Sequence, residues 1–383
     1  MTELVLDKSR PRTARIAIAV FFFVSGFGFS SWASRIPNIQ QHLKLNEAEL
    51  GWVLFALPAG LMLTLPFTGM LLSRYNGRYV MLVGAIVFNL MLVMIGLVSS
   101  TWQLMLILFL FGCSRNLFNI SLNAQSIAVQ RMYSKSIIAT FHGIWSLAGF
   151  GGASLGALMV AMNHQPFIHF LLVASVLTCL LLYFFKFTPD QQPAAHERQP
   201  LFVVPNKPLV KYGLISFASM ACEGTMFDWS GIYFKKIVEA PKDLVTIGFA
   251  LYMVAQTLGR LTGDRIVGFI GIQQVLKYSG LLIFTGLLTA VIFPYYILAS
   301  IGFIMVGFGV SCVIPLVFSL AGKSKTMGSG PAIAAVSSIG YLGFLLIPPV
   351  VGFIAQSFNL RWSFLMIAFL GLIITWIVSV KKV

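Results

Sequence analysis

Charge is scarce in this sequence: 10% of its 383 residues are Asp, Glu, Lys or Arg, against roughly 25% in an ordinary soluble domain. Acids are scarcer still, 11 against 26 Lys and Arg. The four cysteines, Cys113, Cys179, Cys222 and Cys312, show no CxxC or CxxH spacing, which argues against a disulfide framework and a zinc site. They read as small packing residues. A removable signal peptide is also missing, because Lys8, Arg10, Arg12 and Arg15 precede the first long apolar run, so the first helix should be retained. No metal cluster, nucleophile–base pair or phosphate-binding glycine loop stands out. The expectation is a non-enzyme without metal or cofactor.

What fills the chain instead is apolar: 58% of residues are hydrophobic and 14% aromatic. At about 20 residues per membrane span, 12 spans need about 240 residues, which this length accommodates with short loops. Apolar runs fall near 14–34, 50–72, 79–99, 103–126, 139–162 and 167–187, then near 211–234, 244–264, 273–293, 296–320, 330–355 and 361–380. The fold class expected is therefore all-α and polytopic, with two six-helix bundles at 1–187 and 211–383 joined by a linker at 188–210.

The net charge of +15 would point to nucleic acid in a soluble protein, but here the basic residues sit between apolar runs and read as topology signals. One set of alternate loops holds 19 Lys and Arg, with Arg74, Arg78, Arg260 and Arg265 among them, and the other holds six, Arg35, Lys44, Lys235, Lys236, Lys242 and Arg361. Both termini and the linker are expected on the cytoplasmic side. The halves also echo each other: Ser31-Trp32-Ala33 matches Asp228-Trp229-Ser230 at an offset of 197, Ser73-Arg74 matches Asp264-Arg265 at 191, and Gly149-Phe150 matches Gly343-Phe344 at 194. Matches in the same order and loop context indicate a parallel duplication, the plan on which many transporters build a midplane site.

Ionisable groups in hydrocarbon are costly and mark aqueous paths or pairs. Of the acids, Glu223 and Asp228 alone fall inside a span, the seventh. Glu223 lies about 18 Å from its cytoplasmic end, near mid-membrane, and on an ideal helix the two carboxylates point about 140° apart. Glu223 reads either as a proton-coupling carboxylate or as half of a permanent ion pair; Asp228, further out, reads as a coupling or gating group or as a helix clamp. Span 4 carries Arg115 with Asn119 and Asn123 at i, i+4 and i+8, one polar stripe. Arg115 suits a carboxylate or phosphate clamp, a partner for Glu223, or a structural pair. Asn119 and Asn123 suit solute or helix–helix hydrogen bonds. His142 is a possible proton relay or a structural histidine. Trp32 and Trp229 read as cavity-lining rings or interfacial anchors. Gly149, Gly151, Gly152 and Gly156 in span 5, and Gly340, Gly343, Pro348, Pro349 and Gly352 in span 11, read as hinges or close contacts.

The loop GMLLSRYNGRY (Gly69 to Tyr79) and its second copy GRLTGDR (Gly259 to Arg265) resemble the major facilitator signature G-x-x-x-D-R-x-G-R-R, with Ser73 at the usual acidic position. Arg74, Arg78, Asp264 and Arg265 would then form a conformational latch. WASRIPNI, NAQSIAVQ, HGIWSLAG, CEGTMFDWSGIYF and GYLGFLLIPP are similar to the fucose-permease-like group and its uncharacterised bacterial permeases. That resemblance implies a central cavity, alternating access and frequent proton symport of a small-molecule substrate in the bacterial inner membrane. Fucose transporters of the group use acids in spans 1 and 4, where this chain has none and carries Arg115 instead, so fucose itself does not carry over. A proton-coupled, monomeric symporter of a sugar-like solute or organic anion is expected, with an efflux antiporter for amphipathic compounds and a non-transporting receptor as alternatives.

Overall fold

The computed structural model describes residues 11–133, 137–190, 206–324 and 327–380, and its regular elements are all helices. Residues 191–205 of the expected linker lie outside the described residues, as do Lys8, Arg10, Lys135, Arg198, Lys325, Lys381 and Lys382 from the charge count. The helices are α1 (Pro11–Leu43), α2 (Glu47–Arg74), α3 (Gly77–Ile95), α4 (Thr101–Gln130), α5 (Ile138–Ala161), α6 (Pro166–Phe185), α7 (Lys207–Lys236), α8 (Ile247–Ile292), α9 (Tyr296–Ser311), α10 (Val313–Gly322), α11 (Ser329–Ser357) and α12 (Leu360–Val380). Leu63, Phe67, Leu106, Leu182, Phe269 and Trp376 are among many large apolar side chains left exposed. A soluble fold would bury such residues, and a bilayer covers them.

Helices and membrane passes do not correspond one to one. The 46 residues of α8 would extend about 69 Å at 1.5 Å per residue, more than twice the roughly 30 Å hydrocarbon core. Gly271 (φ 80°, ψ 158°), the one glycine with positive φ among the described residues, is non-helical and divides α8 into two helical arms, so α8 is two passes. The break falls within residues 265–272, which hold Gly268 and Gly271 and lie where a loop between two passes was expected. Conversely α9 and α10, at 16 and 10 residues, make one pass interrupted at Cys312. Ten stretches among the described residues are long and apolar enough to cross a membrane; with α7 added and α8 divided at its bend, the passes number twelve.

Local chemistry sets several boundaries. Asn76 caps α3 by accepting the Arg78 N–H at 3.1 Å, and its amide also donates to the Asp190 carboxylate. Pro166 begins α6, where its missing N–H costs nothing. Two loop assignments need correction. α1 runs on through Pro37 to Leu43, so Arg35 is a buried helix residue, 1% exposed. Arg260 lies well inside α8 and is half-buried.

Contacts gather the described residues into two compact units, those within 1–32, 56–152 and 164–198 in one, and those within 33–55, 153–163 and 199–383 in the other. In the first, α3 packs on α4 and α6, and Asn89 donates to Thr178 Oγ1 at 3.0 Å. In the second, α7 packs on α11 and α12, and α8 on α9 and α12.

The second unit also includes the last turns of α1, the first turns of α2 and the end of α5, and close packing joins them to α7 and α11. A Cβ on Gly51 would stand 2.7 Å from the Pro348 carbonyl oxygen and 3.2 Å from Gly352 Cα, and one on Gly231 would stand 2.8 Å from the Pro37 ring. Lys236 pairs with Glu47, Lys235 donates to Gln41 Oε1 at 2.6 Å, Lys242 donates to Asn163, and the Glu47 N–H donates to Gln356 Oε1 at 3.3 Å. Pro37 with Gly231 and Gln41 with Lys235 keep one offset of 194. These ends of α1 and α7 therefore run side by side in the same direction.

The duplication is visible inside each unit. The Cys113 thiol donates to the Gly60 carbonyl at 3.4 Å, and the Cys312 thiol to the Gly259 carbonyl at 3.4 Å, both members displaced by 199 residues. Likewise Gly152 abuts the Phe27 carbonyl and Gly343 the Phe217 carbonyl, displaced by 191 and 190 residues. At Gly60, Gly152 and Gly343 a side chain would meet the neighbouring backbone, and at Gly259 it would meet the Ser311 side chain. Gly60→Val should therefore lower the melting temperature in detergent by the equivalent of about 1–3 kcal/mol. Gly69→Val, where nothing lies within 4 Å, should leave it nearly unchanged; equal shifts for both would mean that the α2–α4 contact does not depend on glycine.

Candidate functional site

α7 is drawn tight against α11 by its small residues: a Cβ on Gly224 would come within 3.0 Å of the Phe344 ring, and Gly343 meets the backbone at Phe217 and Ala221. Glu223 itself is 9% exposed. Its Oε1 accepts from Gln256 Nε2 at 2.8 Å and from Arg260 Nη2 at 3.2 Å, both on the first arm of α8. Gln256 Nε2 donates in addition to the Tyr252 hydroxyl at 3.2 Å. Tyr252, Gln256 and Arg260 recur every fourth residue and so share one helix face. Tyr252 and Gln256 are fully buried, and the Arg260 side chain is 21% exposed. The arrangement puts a carboxylate, an amide, a phenol and a guanidinium into one connected network, in which both bonds to the carboxylate are charge-assisted.

This pairing was not anticipated. Sequence alone offered Arg115 as a cation for Glu223 and assigned Arg260 to a cytoplasmic loop; within its own compact unit Glu223 takes Arg260. The missed signal was the four-residue spacing of Tyr252, Gln256 and Arg260, which repeats the Arg115, Asn119, Asn123 spacing noticed in span 4.

The α4 stripe lies in the other unit. Arg115 sets its guanidinium 3.5 Å from the centre of the Phe29 ring, a cation–π contact at van der Waals distance. Asn119 Oδ1 accepts from the Ser25 hydroxyl at 2.8 Å, joining α4 to α1, and Asn123 Nδ2 donates to the Asn119 carbonyl at 2.8 Å. All three stripe residues are half-buried, whereas Asn116, on another face, is buried and bonds Thr68 Oγ1 at 3.0 Å.

Of the remaining candidates, Asp228 is half-buried five residues beyond Glu223. Trp32 and Trp229 are 1% and 0% exposed, so neither offers its ring to lipid. His142 is exposed, with Phe22 edge-on at 5.3 Å. Arg78 lies over the Phe185 ring at 4.6 Å, while Arg74, Asp264 and Arg265 are exposed. Among the described residues no cluster of His, Cys, Asp and Glu could hold a metal ion.

A multi-pass helical bundle with ionisable and amide groups turned inward is the plan of a membrane solute carrier. Residues 18–330 match the model of the Major Facilitator Superfamily, and the chain belongs to that family of transporters, which are not enzymes. An uncharacterized MFS-type transporter of Yersinia pestis is 31% identical over 356 residues, 93% of this chain and 92% of that protein. The multidrug resistance protein MdtG of Proteus mirabilis is 26% identical over 93% of each chain. A point mutant of the nucleoside transporter NupG superposes with a TM-score of 0.81 over 96% of this chain and 99% of that one, at 13% identity, which establishes the shared fold. A bacterial homologue of Spinster, solved in an inward-facing and occupied conformation, gives 0.75 over 97% of each chain at 13% identity.

Removing the cation from this network leaves a mostly buried carboxylate without its counter-charge. Arg260→Ala should therefore destabilise the protein by up to about 3–5 kcal/mol, and Glu223→Gln in the same chain should recover much of the loss. Thermal unfolding of the two single variants and the double variant checks this. Strictly additive shifts would mean that the two groups do not act as a pair.

Proposed function

We propose that the chain is a proton-coupled symporter that carries a small polar solute across the bacterial inner membrane by alternating access. The halves 1–187 and 211–383 act as the two bundles, the linker 188–210 and both termini are cytoplasmic, and the working unit is the monomer. The observation that carries this reading is the Glu223–Arg260–Gln256 network, the kind of intramembrane carboxylate whose charge a transport cycle can use. Protonation of Glu223 would release Arg260, and deprotonation would draw it back, so that proton and solute affinities are linked reciprocally. Asp228 assists on the same helix. Arg115, Asn119 and Asn123, with Trp32 and Trp229, contact the solute, and His142 serves as a relay. Arg74, Arg78, Asp264 and Arg265 latch the cytoplasmic ends.

The fucose-permease-like motifs favour a sugar-like solute, and Arg115 favours an organic anion. A ligand screen by thermal shift separates them, since a bound ligand raises apparent stability by mass action. An anion hit lost in Arg115→Ala would assign the guanidinium to the solute; a neutral-sugar hit retained in that variant would take it away. The relationship to MdtG supports a second reading, proton-driven efflux of amphipathic compounds, which predicts drug resistance on overexpression.

With the hit in hand, Glu223→Gln reconstituted in liposomes should lose accumulation driven by a pH gradient while retaining counterflow exchange. Undiminished accumulation by that variant would end the proton-coupling proposal.

A further inference from the structure

Gln256 is held in an unusual way. It is fully buried, its amide nitrogen serves two acceptors at once, Glu223 Oε1 at 2.8 Å and the Tyr252 hydroxyl at 3.2 Å, and its amide oxygen has no hydrogen-bond partner. An ionised carboxylate only accepts hydrogen bonds, so the amide N–H must face it; a protonated carboxyl can donate, and the phenol can either donate or accept. The two groups that Gln256 faces can therefore both reverse their hydrogen-bonding sense when one proton arrives. A rotation of about 180° about the last side-chain bond would then present the Gln256 oxygen to two donors, the Glu223 carboxyl and the Tyr252 hydroxyl. Because the far end of the amide makes no bond now, turning it over sacrifices none there.

We propose that Gln256 is the positioning residue that reads the protonation state of Glu223, its amide N–H facing the carboxylate and its amide oxygen facing the protonated acid. This deepens the proton-coupling reading above and rests on it. The step transfers one proton from hydronium to the Glu223 carboxylate, leaving water, and breaks no covalent bond within the protein. Its consequence is that Arg260 loses an anion as Gln256 gains a donor, so the change on α7 is transmitted to two residues one turn apart on α8. The titratable and charged groups around Glu223 in its own unit are Arg260 and Tyr252 of α8 and Cys222 on its own helix. Of the other helices packed on α7, α11 contributes Tyr341, α9 Tyr296, α12 Arg361, the end of α1 Arg35 and His42, and the first turns of α2 Glu47 and Glu49 as their titratable or charged groups, and α10 contributes none. Arg361 is engaged elsewhere, with its guanidinium on the Val291 carbonyl at 2.6 Å.

Infrared difference spectra of the full-length protein in lipid, recorded on stepping the pH, test this without a transported ligand. Acidification should produce a protonated carboxyl band that is absent in Glu223→Gln. In Gln256→Met that band should move to higher frequency, because the acid loses the amide oxygen that accepts its O–H. In otherwise unaltered protein carrying isotope-labelled glutamine, an amide carbonyl band should change with the same pH midpoint, and Glu223→Gln should abolish the change. This second measurement needs no substitution at Gln256 and stands if Gln256→Met fails to fold. A Glu223 band at the same frequency in Gln256→Met, or a labelled amide indifferent to pH, overturns the role of Gln256 and leaves proton coupling standing. The absence of any Glu223-dependent carboxyl band overturns both.

Discussion

Hydrocarbon offers no partner to a backbone N–H or C=O, and that constraint governs the rest of this molecule. It forces the spanning segments into helices, which satisfy their own main chains, and it removes the usual hydrophobic drive for one helix to seek another. Contacts must then come from close approach and from polar side chains. The glycine contacts at Gly60, Gly259, Gly152, Gly343 and the pair Gly51 and Gly352 supply the first. Ser25 with Asn119, Asn116 with Thr68, and Glu223 with Arg260 and Gln256 supply the second. The same shortage of partners that shapes the bundle makes each interior charge conspicuous.

Much of the architecture was legible because hydropathy and charge report directly on the bilayer. Apolar runs counted the passes, and three matched motifs announced a duplication that the paired thiol–carbonyl contacts at Cys113 and Cys312 express in three dimensions. The boundaries failed where a usual breaker did not break. Pro37 fell at an expected end, yet α1 continues through it, whereas the non-helical residue Gly271 breaks α8 inside the gap expected at 265–272. A proline forfeits a single hydrogen bond and packs its ring on Gly231, so the remaining bonds carry the helix onward.

At the candidate site the sequence supplied the carboxylate but not its company. Glu223 stood out because acids are so few, whereas Arg260 was hidden among basic residues used as topology signals, only five residues from the expected loop cation Arg265. Gln256 carries no charge and so escapes any search for intramembrane ions, although its spacing from Tyr252 and Arg260 marks the same helix face. Pairings between helices are set by rotation and depth, which hydropathy does not encode; periodicity of polar residues within an apolar helix is the part of that information that survives in sequence.

The turn at Gly271 also bears on how this chain meets other molecules. A protease needs several residues in extended form to thread its cleft, and loops ordinarily supply them. Here two membrane passes meet at a single non-helical residue, Gly271, with Phe269, 88% exposed, standing just before it. That end of the hairpin offers an enzyme or an antibody a knob of apolar side chain in place of a flexible peptide, so residues 247–292 should behave as one indivisible piece during digestion of the intact membrane.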